Sequence, residues 1–220
     1  MQTRTKLLLA AMTAGVFMSF AVSAAQARRI WVSNTRYQAI FTLLSLEIEG
    51  IGTIGCPITV EGSFHSASVS KVSGLLAGYV TSAKVRGGSP ECLNTGTLRV
   101  NTETLPWHIR YDSFAGTLPT IERIRLQLIG SVFEVDPAGS TPKCRARTTA
   151  ANPGVADVVL TEGTGGNRIA KEDRVNEAAR IPVGGEFFCE ISGTTSNFHG
   201  TGEVFLQGST STRVLVRLIQ

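Results

Sequence analysis

Apolar residues at every second position run through most of this chain and predict strands with one buried face. The longest ordered stretch spans residues 105–135. Trp107, Ile109 and Tyr111 share one parity there, and His108, Arg110 and Asp112 share the other. After a turn-rich gap, Ile124, Leu126 and Leu128 alternate with Arg123, Arg125 and Gln127. Two such segments joined by residues 113–120 read as paired strands. A helix through Ile121, Ile124 and Leu128 would leave Leu126 off its apolar stripe, and Gly130 would weaken it by about 1 kcal/mol. A strand with a bulge or turn at Gly130 is expected instead.

The same period marks further strands. Leu44, Leu46 and Ile48 form one face, and Cys56, Ile58, Val60 and Phe64 another. Ala77, Tyr79, Ala83 and Val85 suggest a third, followed by Leu98 and Val100. Val155–Leu160, Phe187 to Ile191, Phe198 to Leu206 and Val214 to Leu218 extend the series. Pro57 has no amide hydrogen, so it is expected at a strand start or on an edge. Residues 28–40 show no clear period, and residues 136–154 read as a loop. Residues 161–180 are charged and Gly-rich. They predict a mobile insertion with one short helix on Ile169, Val175 and Ala178.

The pattern sums to about ten short strands, one wet face each, which is the antiparallel habit. The expected fold is all-β: an antiparallel β-sandwich or β-barrel with one loop and short-helix insertion. Alternation alone does not separate the two architectures.

The N-terminus adds a location. Arg4 and Lys6 precede an almost wholly apolar run, Leu7 to Val22, and Ala25-Gln26-Ala27 offers small residues to a signal peptidase. A signal peptide over 1–27 is expected. That leaves a single all-β domain over 28–220 (220 − 27 = 193 residues), secreted or held in the cell envelope, with no membrane span in its mature form. Removing two of the 21 basic residues leaves 19 against 17 acidic ones. Such a balance gives no basic face for nucleic acid. The densest basic cluster, Lys143, Arg145 and Arg147, reads as a solvated loop.

Cys56, Cys92, Cys144 and Cys189 make an even count in an exported chain, which predicts two disulfides. Cys56–Cys92 and Cys144–Cys189 close the shortest loops and are the favoured pairing. Each would contribute roughly 4 kcal/mol in the chain-entropy model.

Candidate chemistry is sparse. His65, His108 and His199 each follow an aromatic residue on a predicted polar face, and could meet at a zinc ion only if the strands converge them. Surface histidines are the commoner outcome. No G-x-S-x-G elbow or phosphate loop is present. His108 and Asp112 share a face without a defined serine. Glu47, Glu49 and Glu61 lie on wet faces but lack the aromatic platforms of a glycosidase. No catalytic residue, metal ligand or cofactor is assigned.

The segment LPWHIRYDSFAGTLPTI, with Gly55-Cys56-Pro57 and Phe198-His199-Gly200-Thr201-Gly202, resembles uncharacterised exported all-β bacterial proteins. That resemblance implies neither an activity nor a functional residue. The expectation is therefore an exported, non-enzymatic β protein with a structural or interaction role and an unknown protein partner. The alternative is an extracytoplasmic β-barrel that binds a small apolar ligand, and a weaker one is a secreted hydrolase.

Overall fold

The computed structural model describes residues 29–50, 52–86, 96–118, 120–137, 144–175, 181–185, 193 and 195–219. They form an antiparallel β-barrel with added strands at both ends. The wall comprises β2 (Arg36–Ile48), β3 (Gly52–Phe64), β5 (Leu76–Val85) and β7 (Trp107–Ala115). It continues through β8 (Arg123–Ile129), β11 (Gly154–Glu162), β12 (Arg168–Val175) and β14 (Thr195–Leu206). Each of these eight strands pairs with the next in chain order, and β14 pairs with both β12 and β2, which closes the ring. The wall is an up-and-down barrel, so the open choice between sandwich and barrel falls to the barrel.

Closure depends on bulges. Six of the eight wall ladders shift register once. An extra residue on one strand bends it and increases its twist, as a sheet needs in order to curl onto itself. Each bulge also reverses which parity faces inward. On β2, Tyr37, Ala39 and Phe41 face the interior. Thr42 and Leu43 then oppose a single residue, one more than the ladder needs, and Leu44, Leu46 and Ile48 face inward instead. The strand therefore begins at Arg36, within the stretch that lacked a visible period. On β5, Ala83 pairs with Val60 and Val80 with Gly62, which leaves Thr81 out of register. Val80 points in, and Tyr79 points out between two histidines, contrary to the expected parity.

Pro57 sits mid-strand, not at a strand start. It opposes Thr42 and Leu43, the two bulge residues of β2, where the ladder jumps from Phe41↔Ile58 to Leu44↔Cys56. The missing amide hydrogen costs nothing where no partner is in register. Residues 168–175 are also not a helix. They form wall strand β12, and its period was hidden by a bulge at Lys171, where pairing passes from Leu160↔Ala170 to Val159↔Glu172. The remainder of the expected insertion, 176–180, lies outside the described residues.

The other strands come from connections at the two barrel ends. One end carries β6 (Gly96–Val100), β9 (Val132–Pro137), β10 (Cys144–Arg147) and β13 (Ile181–Gly185). They come from three different wall connections and pair in the order β6-β9-β10-β13. β10 lies inside the predicted 136–154 loop, so Arg145 and Arg147 belong to a strand, and Arg145 pairs with Glu134 at 3.4 Å. Gly130, at φ +89°, makes the tight turn expected between β8 and β9. The other end carries β1 (Arg29–Val32), β4 (Ser68–Val69) and β15 (Leu215–Ile219), joined to the first residues of β12. No α-helix occurs among the described residues; a single 3-10 turn spans Thr102–Thr104.

One apolar core runs through the barrel and both end layers. Phe133 of β9 meets Trp107 of β7 at 5.7 Å between ring centroids and Phe198 of β14 at 4.5 Å, so the end sheet is anchored on the wall by aromatic contacts. The outer face is polar and charged. His108, Arg110, Arg123 and Arg125 alternate with inward apolar residues, and Glu172 and Arg174 point outward on either side of Asp173. Lipid-embedded barrels have the opposite polarity, an apolar exterior and a polar lumen. No described helix is long and apolar enough to cross a membrane.

Candidate functional site

The inward residues do not fill the barrel. A cavity of about 140 Å³ lies along its interior. Wall residues such as Phe41, Val80, Ile109, Leu126, Val158 and Val204 line it, and residues from both ends join them: Ile30, Val69 and Val216 from one, Ser131 and Phe133 from the other. The lining is almost wholly apolar. Ser131 and Thr148 satisfy each other, since the Ser131 amide donates to Thr148 Oγ1 at 2.9 Å and the Thr148 amide to the Ser131 carbonyl at 3.0 Å.

Three titratable side chains line the cavity: Tyr37 on β2, Tyr111 on β7 and Asp173 on β12. The bulge at Lys171 turns Asp173 inward. Its Cα partners are Val158 on β11 and Gly202 on β14. Its neighbours Glu172 and Arg174 point outward and pair with each other at 2.9 Å. Asp173 is half-buried in this lining, and its buried Oδ1 has no hydrogen-bond partner among the described residues. Burial, with a smaller push from the charge on Asp157, raises its pKa from 3.8 to about 7. Burial likewise raises the Tyr37 phenol well above its ordinary value, with Asp173 adding to the shift. Tyr37 is therefore a neutral hydroxyl throughout the physiological range.

Asp157 is buried but differently placed. It lies on the outer side of β11, where Arg125 grips both carboxylate oxygens at 2.8 and 2.9 Å and Arg123 stands at 3.6 Å. A bidentate guanidinium is what a buried carboxylate requires to stay charged. Asp173 has no such cation among the described residues.

The residues weighed from sequence do not assemble into a site. His65 and His108 both contact the outward Tyr79 ring edge-on, at 4.7 and 5.3 Å between centroids. His199 is on β14 opposite Ser45. No group of three potential metal ligands occurs among the described residues. Asp112 accepts from Gln127 and Ser113, at 3.0 and 3.1 Å. Glu49 and Glu61 are used in separate hydrogen bonds, to Thr195 and Gln207. Cys56 and Cys144 are buried, and no free cysteine occurs among the described residues. Cys92 and Cys189, the expected partners, lie outside them, as do residues 1–28 of the expected leader.

Sequence reasoning missed Tyr37 and Asp173. Each had a weak signal: Tyr37 shares parity with Ala39 and Phe41, and Asp173 with Val175. Both signals are cut short by the bulges described above. No family model, curated protein or solved structure matches the chain. What the site can do is therefore argued from its geometry.

Proposed function

We propose that this protein is an exported, non-enzymatic β-barrel whose role is to hold a small apolar molecule in its interior. The carrying observation is the 140 Å³ apolar cavity inside a closed wall with layers at both ends. A purely structural barrel of this size has no need to forgo the contacts that side chains filling this space would make, worth roughly 24 cal/mol per Å³ of cavity. The volume lies between a filled interior and the several hundred Å³ of an ordinary ligand site. It is close to the ~150 Å³ apolar cavity that stays dry and takes up benzene. The natural occupant is accordingly of about that size, smaller than the drug-sized ligands of ~300–1,000 Å³ pockets.

Location in the cell envelope or exterior is part of this reading. It is supported by the leader-like N-terminus and by the even cysteine count. In this reading Cys56 and Cys144 are half-cystines, paired as Cys56–Cys92 and Cys144–Cys189. The hydrolase alternative loses support because His108 and Asp112 each engage other groups on the outer face.

Native mass spectrometry of protein purified from its own source, with titration of toluene followed by NMR, tests the proposal. The expected results are a co-purified small molecule or saturable shifts at Phe41, Ile109 and Val158. Ala156→Leu, which extends a lining side chain into the cavity, should abolish toluene binding while the protein stays folded. A wild-type protein that carries nothing and shows no saturable shift refutes the proposal and returns weight to a structural or interaction role.

A further inference from the structure

We infer that the cavity's ligand is a small apolar amine whose ammonium group is held by the Asp173 carboxylate. This inference rests on the ligand-binding reading above and specifies the ligand's polar end. Among the described residues that line the cavity, Asp173 is the only carboxylate and none is a lysine, arginine or histidine; its buried Oδ1 has no partner among the described residues. A carboxylate in apolar surroundings is costly unless a cation or hydrogen-bond donors meet it.

The neighbouring elements supply no cation. From β2, Tyr37 is a neutral phenol. From β11, Asp157 adds a second negative charge, and its Arg125 partner is engaged on the outer face. From β14, the residue in register is Gly202, which has no side chain. On β12 itself, Arg174 is turned outward onto Glu172. An ammonium brings both the missing charge and the missing donors. An alcohol brings a donor only and leaves the charge uncompensated. The remaining lining, aromatic and branched aliphatic, fits an apolar body the size of one ring.

The pH dependence has a definite sign. Without ligand, Asp173 takes up a proton near pH 7, so below that pH the amine must compete with a proton. Affinity for an amine should fall as pH drops, by about tenfold per unit well below the carboxyl pKa.

Benzylamine, benzyl alcohol and toluene titrated calorimetrically into the full exported chain at pH 5.5 and 8 form the test. The inference expects benzylamine to bind at least tenfold more tightly than toluene at pH 8, with that preference shrinking at pH 5.5. Asp173→Asn should remove the preference, so that benzylamine binds no more tightly than toluene to the same variant. Equal affinities for benzylamine and toluene, tightest binding of benzyl alcohol, or an amine preference that survives in Asp173→Asn would each overturn the inference while leaving the apolar-ligand reading intact. Failure of all three probes overturns both. Should Asp173→Asn not fold, the wild-type pH dependence decides alone: a benzylamine preference that does not change between pH 5.5 and 8 overturns the inference.

Discussion

Replacing Asp173 by Asn should stabilise the ligand-free protein, and only above the mid-acid range. The substitution keeps the shape of the side chain and removes its ability to ionise. In the folded protein the carboxyl pKa is raised from 3.8 to about 7, a difference of roughly three units, or about 4 kcal/mol at 1.36 kcal/mol per unit. The sign follows from proton counting. Between about pH 4 and 7 the folded state holds a proton that the unfolded state has released, so stability falls as pH rises through this window. Below it both states are protonated, and Asp and Asn should be close to equivalent. Above it the wild type carries the full penalty and the variant carries none.

Urea unfolding at a series of pH values from 4 to 8.5 measures this directly. The difference between variant and wild type should grow from near zero at pH 4 to about 4 kcal/mol at pH 8, on the order of 10 °C in Tm for a chain of this size. Effects of other titrating groups are common to both proteins and cancel in the difference. A difference that stays constant across the series would show that Asp173 is solvated or paired, and would remove the physical basis for an unmet charge in the cavity.

Three further outcomes test other parts of the structure. Arg125→Ala should cost about 2–3 kcal/mol by urea unfolding, because buried Asp157 loses its bidentate partner and keeps the longer Arg123 contact; Arg125→Lys should recover part of this. Trp107→Ala should cost about 3–5 kcal/mol, since the ring is buried between the wall and the end sheet against Phe133; a cost below 1 kcal/mol would mean that the end sheet is not anchored there. Gly62→Ala should destabilise by at least about 1–3 kcal/mol, because the added methyl would collide with the Tyr37 hydroxyl and Cζ and lie 2.7 Å from the Tyr79 carbonyl; relief of part of that cost in a Tyr37→Ala background would locate the side-chain share of the clash.

The sequence by itself determined the class of fold and the dry face of most strands. Trp107, Ile109 and Tyr111 do point inward together, and Ile124, Leu126 and Leu128 do line a strand and not a helix, because alternation over a run free of bulges has one physical solution. Tertiary structure alone decided that the sheet closes, that the closed barrel keeps a cavity, and that Asp173 enters it. Closure depends on which strands meet, β14 with β12 and with β2, and no local period records a contact between residues so distant in the chain. The bulges that permit closure also shift inward parity at Thr42–Leu43, Thr81 and Lys171, so the same residues that curl the wall hide its strands from a period-2 reading. For that reason the segment that looked least like barrel, RIAKEDRV, is a wall strand and supplies the one carboxylate that lines the interior among the described residues.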